Sequence, residues 1–363
     1  EMTPAGVILV WNSKNAMESK VLEKELEMKL DNIRKVFDVN KIISLQPNSN
    51  YVKKYYKTNK IPYSIFHTNT DLIYMGISRD GKFKEEDLLG AAKIIEEYVK
   101  NNNASSVLEI ATGRGANSFY LAKKFPDVKF YGVDISEAQL SLAKKKSKKT
   151  KNYFPEFGDY HDLGRYENET FDIVFEVEAL CYSTEKGKVF LEVKRVLKKG
   201  GLFILFDGYL NKQDSQITDL EIITKNLIEK SMALSTFESY QSFINKAKLS
   251  NFEIIHEENL SKFILPTMYR FENLASKFFK HPYIARILSL FLPQELAYNS
   301  VAGYLMPNAI KSNLLCYMLT VMKNIKNGLW HWPKIHGREK VDNTQISNGR
   351  TISVYAIWWL SFC

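Results

Sequence analysis

Val107-Leu108-Glu109-Ile110-Ala111-Thr112-Gly113-Arg114-Gly115-Ala116-Asn117 is the stretch whose reading decides the fold. A hydrophobic run suited to a strand ends in a glycine turn, and the residues after the turn suit a helix. A second apolar run, Val128-Lys129-Phe130-Tyr131-Gly132-Val133, ends in Asp134. This layout builds a nucleotide-type site. Glycines let backbone approach the ligand, and an acid closing the second strand reaches both ribose hydroxyls.

Outward from this stretch the pattern alternates regularly. Strands are expected at 106–111, 128–134, 153–157, 171–177 and 201–207, with helices near 116–125, 136–147 and 184–197. Such alternation implies a parallel sheet covered by helices on both faces. Gly200-Gly201, after Val196-Leu197-Lys198-Lys199, reads as a helix stop feeding the fifth strand. A helix at about 217–233 follows, and Phe252-Glu253-Ile254-Ile255-His256 and Leu315 to Val321 supply two more strands. Upstream, Leu22, Leu26, Leu30, Ile33 and Phe37 recur at helical spacing over 18–38. Leu88-Leu89 and Ile94-Ile95 mark another helix, ending at Asn101-Asn102-Asn103. The expected fold is α/β: a Rossmann-like, seven-stranded, mostly parallel sheet with helices on both faces. Its parts are an N-terminal helical lid region over 1–100, a ligand-binding core over 101–262, an apolar insertion over 263–310 and a last core strand in 311–324. From 325 to 363 the pattern is lost and reads as loop or disorder.

Composition narrows the class. The chain has 363 residues, 45% hydrophobic and 25% charged, an ordinary globular balance. Three cysteines, Cys181, Cys316 and Cys363, are too few and scattered for a disulfide framework or a zinc site, which points to a reducing, cytoplasmic compartment. No cleavable signal pattern opens the chain, and its apolar runs fall short of the ~20 residues that span a bilayer. The net charge is +9, and its densest lysine run is Lys144 to Lys151. That run is either an anion-binding patch or a solvated helix C-terminus. The second is favoured, because no aromatic is interleaved before Tyr153.

The glycine turn departs from the dinucleotide pattern in two informative places. Ser118 stands at the third glycine position, and Glu109 ends the strand near the ligand. A carboxylate there repels a pyrophosphate but suits a ligand with a cationic amine. S-adenosylmethionine carries that amine, a sulfonium, a ribose and no phosphate. Phe157-Gly158-Asp159-Tyr160 follows the third strand, where a carboxylate can accept the adenine N–H and an aromatic ring can stack.

With these residues in place, the segment 106–207 resembles a class I S-adenosylmethionine-dependent methyltransferase. It carries the glycine motif from Glu109 to Gly115, the ribose acid in Val133-Asp134-Ile135-Ser136 and the adenine acid in Gly158-Asp159. Phe171-Asp172-Ile173-Val174-Phe175 and Arg195-Val196-Leu197-Lys198-Lys199-Gly200-Gly201 match its fourth- and fifth-strand motifs. Ala111 departs from it, standing where the family usually has its first glycine; one added methyl implies a small adjustment. Arg114 between the glycines has no role in this pattern. The cofactor set that the resemblance implies is Glu109, Ala111, Gly113, Gly115, Asp134, Ile135, Asp159, Tyr160 and Glu176, with Tyr63 on the lid.

Two features resemble the sterol and tocopherol branch. Tyr55-Tyr56, Tyr63-Ser64-Ile65-Phe66-His67 and Tyr74-Met75-Gly76 are similar to the aromatic segment that folds over the cofactor in those enzymes. Aromatics there exclude water and face the sulfonium, or else simply pack the lid. Glu176-Val177-Glu178-Ala179-Leu180-Cys181-Tyr182-Ser183 resembles the Glu-Ala-x-Cys-His stretch of sterol methyltransferases, with Tyr182 in place of histidine. Glu178 and Tyr182 are therefore the candidate catalytic pair. Glu178 acts as base or stabiliser of a developing cation, or instead fixes its loop through backbone N–H bonds. Cys181 reads as a small buried hydrophobe. The insertion 263–310 suits a hydrophobic substrate or a membrane surface, or forms a helical subdomain with its own core.

The function this implies is methyl transfer from S-adenosylmethionine to a small, lipophilic acceptor of sterol, prenyl or fatty-acyl type. Attack is in line, needs no metal, and depends on alignment in a dry site. Partners are that acceptor and, at the periphery, a membrane; no nucleic acid is expected, since the Asn/Asp-Pro-Pro-aromatic signature of base-amine methylation is missing after the fourth strand. The competing readings are an RNA or protein methyltransferase on the same core, and a cofactor- or lipid-binding module without turnover.

Overall fold

β1 (Ser106–Ile110) lies inside a seven-stranded sheet, flanked by β2 (Lys129–Asp134) and β4 (Phe171–Val177), both parallel to it. β3 (Tyr153–Phe157) extends one edge, and β5 (Leu197–Leu210) follows β4 on the other side. β7 (Leu315–Asn324) runs antiparallel between β5 and β6 (Phe252–Asn259), giving the order β3-β2-β1-β4-β5-β7-β6. The computed structural model describes residues 4–58, 72 and 74–325, all within one compact unit.

Alternation along the strands fills two apolar layers, because successive side chains point to opposite faces. Val107, Phe130, Ile173 and Ile204 face one layer, with Ile95, Leu121 and Leu140. These come from α4 (Gly90–Asn101), α5 (Ala116–Lys124) and α6 (Glu137–Ser147), named after α1 (Pro4–Val36), α2 (Val39–Ile43) and α3 (Ser49–Thr58). Leu108, Val174, Phe203 and Leu205 face the other layer, with Val189 and Phe190 of α7 (Lys186–Val196). α8 (Asp219–Ser231) and α9 (Tyr240–Leu249) follow β5, and Phe243 of α9 joins this second layer. Burial on both faces is what a parallel sheet requires.

The insertion forms three helices, α10 (Ser261–Phe279), α11 (Pro282–Phe291) and α12 (Gln294–Lys311). Ile264, Met268, Val301 and Leu305 join the first sheet layer's cluster, so this block shares the main core and does not build one of its own. α12 packs on α8, α10 and α3, and α1 packs on α11 and α12. Lys29 of α1, 3% exposed, ties these elements together through Glu272 of α10 and Asn308 of α12.

Three local expectations change. Gly200-Gly201 does not stop α7, which ends at Val196. β5 has already begun at Leu197, and its pairing with β4 shifts register across the glycines. Gly200 has φ +77°, and a Cβ on Gly201 would meet Asp172 O at 2.9 Å, so the pair permits a tight irregularity inside the strand. The 18–38 helix belongs to a longer one starting at Pro4, with Asp38 capping α2 by accepting from Asn40 N and Lys41 N. α9 has no counterpart in the sequence pattern. Tyr63, Phe66 and the tail beyond residue 325 lie outside the described residues.

Candidate active site

The reversal of strand order between β1 and β4 opens a crevice at the carboxyl ends of the strands, where ligands of such sheets bind. Three left-handed residues shape the turn after β1: Ala111 (φ +53°), Gly113 (φ +53°) and Gly115 (φ +69°). Ala111 therefore costs more than an extra methyl, since alanine disfavours this conformation by about 1–2 kcal/mol. Gly115 is required twice over. A Cβ there would lie 2.2 Å from the Tyr153 hydroxyl and 2.9 Å from Ala143 Cβ. Gly132 of β2 gives room to Thr112, whose side-chain atoms would sit 2.8 Å from a Cβ.

Glu109 sits beneath this turn, 1% exposed, and does not line the cavity where an amine would lie. It accepts from Thr112 Oγ1 at 2.6 Å, Asn117 Nδ2 at 3.2 Å, and Ser118 N at 3.3 Å and Oγ at 2.5 Å. Burial pushes its carboxyl up to about 7 against these donors. Ser118 is thus a partner of Glu109, binding α5 to β1. Arg114, also 1% exposed, donates from Nε to Gln139 Oε1 at 3.0 Å and holds the turn against α6.

Asp134 lines the cavity and accepts from Gly113 N at 2.8 Å and Ser136 N at 2.7 Å. Burial raises its carboxyl against those two bonds. Ala111, Gly113, Ile135 and Tyr160 line the same end of the cavity; Gly115 does not, serving as the N-cap of α5. Asp159 is 53% exposed and points instead to His161, accepting from its backbone N at 2.8 Å and pairing with Nδ1 at 2.7 Å. His161 Nε2 reaches Ser183 Oγ at 2.8 Å, linking this loop to the one after β4.

The loop after β4 is fixed by two buried carboxylates. Glu176 accepts from Ala179 N at 2.9 Å and Leu180 N at 3.2 Å, and Asp207 of β5 accepts from Cys181 N at 2.6 Å. Burial, then the neighbouring Asp207, hold Glu176 well above the usual carboxylate range; burial also raises Asp207. Glu176 does not line the cavity, whereas Asp207 does. Cys181 lines it too, its thiol pushed far up by burial and so uncharged.

With its loop held by other acids, Glu178 is turned into the cavity. It has φ +58°, a strained conformation for glutamate, and its N donates to Phe206 O at 2.8 Å. Oε1 accepts from Met75 N at 2.7 Å and from Tyr317 Oη at 2.9 Å. Among the described residues Oε2 has no partner. Burial outweighs both donors and pushes this carboxyl up to about 7. The bond to Met75 pins the covering segment Tyr74-Met75-Gly76 over the strand ends, and Gly76 N donates to Thr267 Oγ1 of α10 at 3.1 Å. Tyr182 lines the cavity while its hydroxyl donates to Met232 O at 3.2 Å.

The cavity measures about 520 Å³. It runs from Gly113 and Asp134, past Glu178, Asp207, Tyr74 and Tyr317, to apolar walls made by Met268, Phe271 and Phe278 of α10 and Met306 and Ile310 of α12. Tyr55 of α3 closes one side, its hydroxyl donating to Asn299 Oδ1 at 2.9 Å. Sequence reasoning missed Asp207, Tyr317 and Gln139. Each belongs to an apolar or helical run that gave no local sign of facing a ligand. Among the described residues, no three His, Cys, Asp or Glu side chains converge to hold a metal.

Residues 101–264 match the model of a methyltransferase domain. Among curated proteins, sterol methyltransferase-like 3 of Botryococcus braunii is 33% identical over 125 residues, covering 32% of this chain and 31% of that protein. Phthiotriol/phenolphthiotriol dimycocerosates methyltransferase of Mycobacterium tuberculosis is 35% identical over 98 residues, covering 27% of this chain and 35% of that protein. The chain thus spans about a third of the length of these relatives. Among solved structures, a cyclopropane synthase of Mycobacterium tuberculosis superposes with a TM-score of 0.63 at 13% identity, over 77% of this chain and 99% of that one. It shares the fold. The residues present fit S-adenosylmethionine: open space at Gly113, where a Cβ would meet nothing nearer than 4.0 Å, and a cavity-lining carboxylate at Asp134. By this match and this fold, residues 101–264 are similar to the S-adenosylmethionine-binding domain of class I methyltransferases.

Proposed function

We propose that the protein transfers the methyl group of S-adenosylmethionine to a small lipophilic acceptor of sterol, prenyl or fatty-acyl type. One observation carries this proposal: a single cavity joins the glycine turn and Asp134 to the apolar walls of α10 and α12, with Glu178 between them. The cofactor supplies an electrophilic methyl on a positively charged sulfur. Asp134 would hold the ribose hydroxyls, exchanging its bond to Gly113 N, while Gly113 and Ala111 admit backbone close to the ligand. Ile135 and Tyr160 would flank the adenine. Glu109 and Glu176 would serve the site from below, by fixing the glycine turn and the loop after β4.

At the acceptor end, the apolar walls align the substrate and exclude water, which gives a methyl transfer most of its acceleration. Glu178, whose Oε2 has no partner among the described residues, would take up the positive charge or the proton that develops as the new bond forms. Tyr182 shapes the wall beside it. The names of the two curated relatives, a sterol methyltransferase-like protein and a phthiotriol/phenolphthiotriol dimycocerosates methyltransferase, support a lipid acceptor. Peripheral contact with a membrane would deliver such an acceptor; no helix among the described residues is long and apolar enough to cross one.

The test is incubation with methyl-labelled S-adenosylmethionine and a lipid extract, with the product identified by mass spectrometry. Label in a lipid product is expected, and Glu178→Gln should abolish it while calorimetry shows cofactor binding intact. Label appearing in protein or RNA instead, with none in lipid, would overturn the proposal.

A further inference from the structure

α11 turns the opposite of the usual face to solvent. Ala285 is its buried residue, yet Tyr283, Ile284, Ile287, Leu290 and Phe291 are between 58% and 85% exposed. At 3.6 residues per turn these five side chains form one continuous arc, on the side away from Ala285. A surface helix in water puts its apolar stripe on the core and its polar residues outside. Here the outer arc carries no charge and, apart from the Tyr283 hydroxyl, no polar group, and contiguous exposed apolar surface marks an interaction site.

The rim is cationic. Between Glu272 and Glu295 the chain has no acid, while Lys277, Lys280 and Arg286 are all exposed. The cavity also reaches the surface here. Leu274 of α10 and Leu292, the C-cap of α11, are 41% and 37% exposed and line the cavity as well.

We propose that α11 docks on an anionic lipid bilayer. Its apolar arc enters the boundary between headgroups and acyl chains, and Lys277, Lys280 and Arg286 meet lipid phosphates. The cavity mouth between Leu274 and Leu292 then opens toward the acyl region, so a lipophilic acceptor passes in without crossing water. This last step rests on the proposed acceptor class; docking itself does not. A bilayer fits better than a protein partner. The arc's one hydrogen-bonding group is the Tyr283 hydroxyl, which suits the headgroup boundary of a bilayer and falls far short of the roughly 10 hydrogen bonds of a typical protein interface. A second copy packed symmetrically would bring the two cationic rims together.

The experiment is flotation of the full chain with phosphatidylcholine vesicles, with and without phosphatidylglycerol. The chain should float with phosphatidylglycerol vesicles and do so less at high salt. Leu290→Glu/Phe291→Glu should weaken flotation by roughly tenfold or more per side chain. Lys277→Gln/Lys280→Gln/Arg286→Gln should remove the preference for phosphatidylglycerol. Unchanged S-adenosylmethionine affinity by calorimetry shows that both variants are folded. Three results overturn the proposal: wild type that floats with neither vesicle, a glutamate variant that floats as well as wild type, or a wild-type dimer that the glutamate variant splits. The assay reads no methyl transfer, so its failure leaves the proposed function standing, and the reverse holds too.

Discussion

Tyr317→Phe should move the pH dependence of methyl transfer without removing any group that touches the reacting atoms. Tyr317 Oη donates to Glu178 Oε1 at 2.9 Å, and the only other donor to this carboxylate among the described residues is Met75 N, at 2.7 Å. Both bonds favour the ionised form, yet burial holds the carboxyl at about 7. A hydrogen bond to a charged group contributes about 1.5–3 kcal/mol, and one pKa unit corresponds to about 1.36 kcal/mol. Glu178 opens on a cavity and is not packed on every side, so the low end of that range applies. Loss of the Tyr317 hydroxyl should therefore raise the carboxyl by about one unit. If the ionised form does the work, kcat/KM in wild type climbs about tenfold per pH unit below pH 7 and then levels off. In the phenylalanine variant the bend should lie near pH 8, with a plateau within a few-fold of wild type. Glu178→Gln should lose both bend and plateau. Initial rates with labelled cofactor, measured from about pH 5 to pH 9, decide the matter. A bend that stays put or moves to lower pH in the variant refutes this account of Glu178.

Gly115→Ala forces a left-handed alanine, at about 1–2 kcal/mol, and drives its Cβ into Tyr153 and Ala143, at about 1–3 kcal/mol. After about 0.5–1 kcal/mol is returned by the stiffer unfolded chain, denaturant unfolding should show a net loss of about 1–4.5 kcal/mol. A loss below about 1 kcal/mol would contradict the packing described. Asp134→Ala should weaken S-adenosylmethionine binding roughly tenfold to a hundredfold in calorimetry, the effect of losing a carboxylate's charged hydrogen bonds, and unchanged affinity would sink its assignment to the ribose. Glu109 has a folded pKa of about 7, above its ordinary value of 4.5. Its contribution to stability is fully present below pH 4.5 and is lost as pH rises to 7, about 3 kcal/mol in all. Glu109→Gln has no such group, so the stability difference between wild type and this variant should shift by that amount between about pH 4.5 and pH 8. A difference that stays flat across this window would show that Glu109 does not titrate as its burial implies.

How much of this molecule was legible in its sequence depended on whether a feature is local. Strands β1 to β4 and their helices were readable because one run of residues sets both the apolar period and the turn. α9 was not, since Phe243, Ile244 and Ala247 make too short a stripe to stand out before the sheet they cover is known. Gly200-Gly201 was misread because a helix end and a strand irregularity demand the same residue. Only the pairing with β4 distinguishes them.

The acids show the limit most clearly. Their positions at strand ends were visible in the sequence, yet where each one points was not. Glu109, Asp134, Glu176, Glu178 and Asp207 all lie at or near the carboxyl ends of adjacent strands. Each takes the donors that tertiary structure puts nearest. Glu109 meets the first turn of α5, and Glu176 and Asp207 meet the backbone of the loop after β4. Glu109 and Glu176 hold the turn and the loop from outside the cavity, Asp134 and Glu178 line it, and Asp207 both holds the loop and lines the cavity. A motif can thus name the residues of such a site, while the division between those that build it and those that line it is decided by partners from distant parts of the chain.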